Sequence, residues 1–286
     1  MTWKRVLTAA ALIPVVVSAV WWGPTWLVAV LVAVVTVLAL NDFFAVAEKA
    51  GVPGIPTWTI VCTVFTNLLS AFYRDIWAFA FQNVRWSDLI PHFVQDLFFW
   101  VASLSSFLFW VGVILLALVL RKRGLNPFAG IGTSLVGIIF VAQPLWVIVG
   151  LHVRSPKWVL FVLGVVWAGD TAAYFVGRAI GRHKLAPAIS PGKTWEGAIA
   201  NLATSLLVGY AFSRWIQFGM WHLMTAAGLA SVAGQMGDLF ESACKRAAGV
   251  KDSGTLLPGH GGMWDRIDAL IFAAPTVWWY LAIMGS

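Results

Sequence analysis

Apolar residues run along this chain in stretches of about twenty, broken by short polar segments, and that pattern predicts membrane-spanning helices. The runs lie at about residues 6–22, 25–46, 57–73, 97–120, 131–150, 157–177, 197–218, 221–243 and 264–283, which makes about nine. The third is the shortest, against the ~20 residues a hydrocarbon core normally asks for. Residues 74–96 mix charge with aromatics and read as a loop with an interfacial helix. Trp100, Trp158, Trp195, Trp221 and Trp264 stand at the ends of runs, where an amphipathic ring belongs at headgroup level. Lys4 and Arg5 precede the first run, but Trp21 and Trp22 occupy the place where a cleaved leader would need small residues. The expectation is an uncleaved first span. With no tandem repeat or low-complexity linker, the chain reads as one all-α polytopic membrane bundle over residues 1–286. Its N-terminal spans lie in 1–156, and the spans and loops that carry chemistry lie in 157–286.

Composition strengthens this picture. Of 286 residues, 60% are hydrophobic and 11% charged, with a mean hydropathy of +0.84, more apolar surface than a soluble fold of this size can bury. The formal net charge of +7 does not argue for nucleic acid, because the basic residues sit in short loops between apolar runs. With the N-terminus in the cytoplasm and nine alternating spans, the inside segments carry Lys4, Arg5, Lys49, Arg121, Lys122, Arg123, Arg178, Arg182, Lys184, Lys193, Lys245, Arg246, Lys251 and Arg266. Arg74, Arg85, Arg154, Lys157 and Arg214 fall outside, a division of 14 against 5 that obeys the positive-inside rule. Cys62 and Cys244 form no disulfide framework and no zinc spacing.

The polar residues within the later runs are periodic. Ser231, Gln235, Asp238, Ser242 and Lys245 recur at steps of three and four, so they share one helical face, with Glu241 at its edge. Asp238 lies roughly 10 Å along that helix from Lys245. An ionisable group at that depth is costly unless paired or metal-bound; an ion pair with Lys245 is one reading, and a metal ligand is the favoured one. Asp265 and Asp268 share a face at the start of the last run, and for Asp268 helix capping and metal binding stand equal. Asp170, Tyr174 and Arg178 form a second polar stripe at steps of four.

Between the eighth and ninth runs, Pro258-Gly-His260-Gly261-Gly262 can bring backbone N–H groups close to a phosphate. His260 could be a general acid, a phosphate donor or a packing residue. Lys193, Lys245, Arg246, Lys251 and Arg266 are basic candidates for phosphates. Gly192-Lys193-Thr194 imitates the end of a P-loop, but Pro187 stands where its first glycine is required and no strand is expected before it. Basic groups beside paired carboxylates point to metal-assisted phosphoryl or nucleotidyl chemistry.

Residues 242–268 read Ser242, two residues, Lys245-Arg246, four residues, Lys251-Asp252, then Pro258-x-His260-Gly261-Gly262, two residues, Asp265-Arg266-x-Asp268. This run resembles the signature of the phosphatidate cytidylyltransferases, with Cys244 standing where an aliphatic residue is expected. Ser190-Pro-x-Lys193-Thr194-x-Glu196-Gly197 resembles a second block of that family. The resemblance extends from about residue 167 to the C-terminus. It implies transfer of a cytidylyl group from CTP to phosphatidate, giving CDP-diacylglycerol and pyrophosphate. It also implies Asp238, which follows Gly237, and Asp265 as the metal-binding carboxylates, with magnesium as cofactor and room for a second cation. Lys245, Arg246 and His260 join them as catalytic candidates; Asp170, Lys193, Lys251, Arg266, Gly261 and Gly262 are the substrate-binding candidates. The implied setting is the inner (plasma) membrane with the site facing the cytoplasm, the bilayer as partner, no nucleic acid, and a homodimer left open. The alternatives are another CTP-dependent lipid enzyme, of polyprenol-kinase or archaeal lipid-cytidylyltransferase type, and a transporter. Inverted repeats and midplane sites would favour the transporter, but here the polar residues crowd one end of the later runs.

Overall fold

The computed structural model describes residues 13–81, 111–112, 126–254 and 261–284. A short apolar helix, α1 (Ile13–Trp22), leads into α2 (Thr25–Lys49) and α3 (Pro56–Phe81). Helix α4 (Pro127–Arg154) contains a π-helical turn at Ile138–Ala142. Pro144, two residues beyond that turn, lacks the N–H that a regular helix uses and crowds the preceding turn, a common reason for the ladder to widen. Helix α5 (Pro156–Ile180) is followed by a short antiparallel ribbon, β1 (Lys184–Ala186) and β2 (Ser190–Thr194). Then come α6 (Trp195–Phe212), α7 (Met220–Ala247), the single turn α8 (Trp264–Ile267) and α9 (Leu270–Met284).

Local chemistry sets several of these boundaries. Asn126 caps α4 by accepting the Phe128 N–H at 3.0 Å, ahead of Pro127 in the first turn. Ser155 does the same for α5 with the Lys157 N–H at 3.3 Å, again followed by a proline. Thr194 ends β2 and caps α6, its Oγ1 accepting the Gly197 N–H at 3.2 Å. The chain leaves α7 through Gly249 at φ 68°, a conformation that glycine adopts without strain.

The helices pack as a bundle. Helix α6 lies mainly on α5 and then on α7, α9 lies against α7 and α4, and α2 lies against α3 and α4. Leu40, Leu145, Leu151, Phe161, Leu223 and Leu281 are fully enclosed between them. The outward faces are also apolar: Trp22, Phe175, Ile199, Leu207, Met236 and Trp279 are each more than half exposed. A soluble surface does not carry that many large apolar side chains side by side, whereas a lipid-facing one does.

Four helices among the described residues are long and apolar enough to cross a membrane: Thr25–Lys49, Pro127–Arg154, Pro156–Ile180 and Trp264–Met284. The expected span at 97–120 lies outside the described residues apart from 111–112, as do residues 6–12 of the first span and most of the 74–96 loop. One detail corrects the sequence reading. The chain is not purely helical, because the loop after α5 folds into the β1–β2 ribbon. The last span runs Trp264–Met284 as expected, with a turn at Asp268 and Ala269 that separates α8 from α9.

Candidate active site

Helix α7 turns its polar stripe inward. Ser231, Ser242 and Lys245 are buried, and Glu241, placed by its spacing only at the edge of the stripe, is fully enclosed. The Lys245 ammonium bridges two carboxylates, lying 2.7 Å from Glu241 Oε2 and 2.5 Å from Asp265 Oδ1. Such an arrangement is stable only because each buried charge has an opposite partner.

Asp265 is held from three further directions. Its Oδ2 accepts the Ser253 N–H and Oγ–H, both at 2.9 Å, and the Gly262 N–H at 2.7 Å. Gly261 has φ 77°, and a Cβ there would meet the Asp265 carboxylate. Glycine is therefore required at this position both by backbone conformation and by space. The glycine-rich turn wraps Asp265 and leaves that carboxylate little freedom.

Asp238, Glu241 and Asp268 form a second grouping, in which one carboxylate oxygen from each lies within 4.8 Å of the others. Opposite oxygens around a small hard cation stand roughly 4 Å apart, so three donors at this spacing suit one divalent ion with little adjustment. Glu241 Oε1 is buried without a hydrogen-bond partner, as expected of a donor kept for a ligand. The residues fit a magnesium-sized cation, although the set differs from the expected pair of Asp238 and Asp265. Asp238 stands here with Glu241 and Asp268, while Asp265 contacts Lys245, Ser253 and Gly262.

The ribbon supplies a cation from the opposite wall. Lys193, on β2, lies 2.6 Å from Asp238 Oδ2. The ribbon is fixed in turn by Arg246, which donates to the Ile189 carbonyl at 3.2 Å and the Val250 carbonyl at 3.1 Å. Both loops named in the sequence reading thus meet at one end of the bundle. Arg246 ties them together through backbone carbonyls. At the head of α6, at the loop end, Glu196 accepts from the His183 backbone and lies 2.7 Å from its ring Nδ1. Hydrogen bonds from its own backbone and from His183 hold its carboxyl at about 2.

Asp170 opens onto the same crevice from α5 and is exposed there. Its Oδ1 accepts from the buried Asn201 Nδ2 at 3.2 Å, and Asn201 Oδ1 accepts from Ser231 Oγ at 2.7 Å. Asn201 therefore links α5, α6 and α7, and a Cβ at Gly169 would overlap it. Lys251 and Arg266 are exposed at the rim, Gly262 is buried beneath it, and His260 lies outside the described residues.

Three residues escaped sequence reasoning. Asn201 carried a usable signal, being an amide inside an apolar run. Glu241 was visible but assigned only to the edge of the stripe. Asp42 on α2 was also visible as a carboxylate inside an apolar run, but its partners Met263 and Trp264 are more than 200 positions away. On the lipid side, Phe140, Leu229, Phe272, Pro275, Trp279 and Ile283 line an open apolar groove of about 490 Å³ between α4, α7 and α9.

The apolar bundle, with large apolar side chains facing outward, is that of a membrane protein, and one end of it gathers carboxylates and two lysines. The profile of the Cytidylyltransferase family matches residues 3–284, and the chain belongs to that family. It is 38% identical over 192 residues to the phosphatidate cytidylyltransferase of Staphylococcus saprophyticus, covering 66% of this chain and 74% of that one. It is 46% identical over 130 residues to the enzyme of the same name from Staphylococcus aureus, covering 45% and 48% of the two chains. A Brucella suis protein, also named phosphatidate cytidylyltransferase, is 48% identical over 129 residues, covering 45% and 48%.

Proposed function

We propose that this chain transfers the cytidylyl group of CTP to phosphatidate, forming CDP-diacylglycerol and pyrophosphate. The observation that carries the reading is the Asp238, Glu241 and Asp268 grouping flanked by Lys193 and Lys245. A soluble acceptor would not require carboxylates below the loop level, whereas a lipid phosphate sits there naturally.

In this mechanism a phosphatidate oxygen attacks the α-phosphorus of CTP in line, the bond to the β-phosphate breaks, and pyrophosphate leaves. A phosphate monoester is largely ionised at neutral pH, so little general-base help is needed. Asp238, Glu241 and Asp268 would hold a magnesium ion, which when bound supplies charge neutralisation for the triphosphate. Lys193 is placed to leave Asp238 for a phosphate oxygen once that carboxylate is otherwise neutralised. Lys245 pairs with Glu241 and Asp265 and fixes both side chains. Lys251 and Arg266 would meet the triphosphate from the rim, the Gly261–Gly262 turn would shape the floor beneath it, and His260 remains a candidate. Asp170, steered by Asn201, faces the nucleotide from α5. Acyl chains would occupy the lateral groove beside Phe272 and Trp279, keeping substrate and product within the bilayer.

The same reading carries a topology of about nine spans with the site facing the cytoplasm from the plasma membrane. The experiment supplies purified protein with magnesium, phosphatidate and CTP labelled in its cytosine ring. Label entering the lipid phase with release of pyrophosphate is expected. Label that stays aqueous while CDP accumulates would identify a lipid kinase instead.

A further inference from the structure

The clearest unexplained contact runs between the two halves of the chain. Asp42, near the end of α2, accepts the Met263 N–H at 2.5 Å and the Trp264 N–H at 3.2 Å through the same Oδ2. These N–H groups open α8, and the first N–H groups of any helix lack partners within it. The residue that would normally cap the turn is Met263, whose side chain offers no acceptor. A carboxylate from another helix therefore performs the capping.

The fit around that carboxylate is close. A Cβ on either Gly254 or Gly262 would overlap the Asp42 side chain, so both strands of the glycine-rich loop lie directly against it. The neighbouring Phe43 packs edge-on against Trp264, with ring centroids 5.3 Å apart at 74°, and Trp264 is fully buried. Asp42 and Phe43 together fix where α8 begins. One residue on either side of the capped positions, Gly262 N–H holds Asp265 and Asp265 holds Lys245, which neutralises Glu241 of the acidic grouping.

We propose that Asp42 is a positioning residue for the cytidylyl transfer, clamping the Gly262–Trp264 turn from α2 so that Asp265 and Lys245 set the charge and geometry of the cation site. It touches no reacting atom and acts through the turn it caps. The proposal rests on the function proposed above.

The test uses full-length protein in detergent with two variants, Asp42→Ala and Asp42→Asn. Asp42→Ala removes the oxygen that accepts both N–H groups, and displacement of the turn by a fraction of an ångström is expected to lower kcat roughly 10- to 100-fold. Because Lys245 loses its fixed partner, the magnesium concentration for half-maximal activity should rise roughly tenfold. Asp42→Asn keeps one carbonyl acceptor and should recover part of both losses. Hydrogen exchange in residues 261–267 should accelerate in Asp42→Ala while the core of α5 and α7 stays protected. A purely structural role would lower the melting temperature but leave kcat and the magnesium midpoint of the folded fraction at wild-type values, and that result overturns the proposal. Unchanged exchange at 261–267 overturns it as well. Should Asp42→Ala fail to fold, Asp42→Asn decides by the same readouts. Wild-type protein unable to move label from CTP into lipid would defeat the proposed function alone, and exchange at 261–267 would still show whether Asp42 holds the turn.

Discussion

The two ends of the bundle are both polar, but they are built from different chemistry. At the end where α1 meets α2, the buried His152 lies 3.0 Å from the Val20 carbonyl and 3.2 Å from Thr25 Oγ1. The Nε2–H donates to the carbonyl, and Nδ1 pairs with the hydroxyl. Nearby, Trp21 packs against Trp215, and Lys157 donates to the Trp215 carbonyl while lying over its ring. His222 pairs with the Tyr280 hydroxyl at 2.9 Å. The enclosed histidine is matched to backbone and hydroxyl groups without a carboxylate among its partners, and the one lysine here is at the surface. At the other end, Glu241, Lys245, Asp265, Asp238, Lys193 and Asp268 place charge against charge at partly or fully buried positions.

That difference separates sealing from chemistry. Hydrogen bonds among neutral groups satisfy a helix end at little electrostatic cost and need no ligand. A surplus of carboxylates over ammonium groups in an enclosed place is unfavourable by itself and becomes favourable when a cation and a polyphosphate are bound. The charged end thus has the composition that a bound cation would relieve, while the aromatic end is satisfied by its own neutral groups.

Five substitutions can break or sharpen this contrast. The largest effect is expected from Asp238→Asn, which removes a charged donor from the cation grouping and the partner of Lys193. Cytidylyl transfer should fall by roughly 1,000-fold or more with the protein still folded. Near-normal activity at low magnesium would remove Asp238 from the cation site. Asp268→Asn and Asp265→Asn then distinguish the two carboxylates of the last span. Asp268→Asn should raise the magnesium requirement steeply, by roughly 10- to 100-fold. Asp265→Asn should act mainly on kcat and on protection of the 261–264 backbone. The reverse pattern, measured by magnesium titration and hydrogen exchange, would assign Asp265 as the ligand.

Lys245→Met should destabilise the fold by about 3–5 kcal/mol, because it leaves Glu241 and Asp265 buried without their cation. Thermal melts with and without magnesium check this, and added magnesium should recover part of the loss. The smallest functional effect belongs to the aromatic end. His152→Phe should cost about 1–3 kcal/mol of stability through the orphaned Val20 carbonyl and Thr25 hydroxyl, with kcat changed less than about twofold. A large fall in kcat without loss of stability would show that the two ends are coupled.

Much of this arrangement was legible in the sequence because helical periodicity is local. Ser231, Gln235, Asp238, Ser242 and Lys245 lie on one face of α7 simply because residues three and four apart are neighbours on any helix. The apolar surroundings of that stripe already required it to face inward. The spacing from Ser242 to Asp268 placed the chemistry in one loop, and the capping of α4 and α5 by Asn126 and Ser155 before prolines is likewise a short-range matter. What only the tertiary structure decided is which carboxylate meets which partner. Asp265 and Asp268 are three residues apart on one face, and the sequence favoured Asp265 as the ligand, but the turn at Asp268 and the grip of Ser253 and Gly262 aim Asp265 at Lys245. Asp268 is left with Asp238 and Glu241. The ribbon that carries Lys193 to Asp238, and the reach of Asp42 from α2 to the head of α8, likewise depend on how distant helices dock. Packing between segments remote in the chain leaves no periodic trace in either of them, so those contacts become visible only once the bundle is assembled.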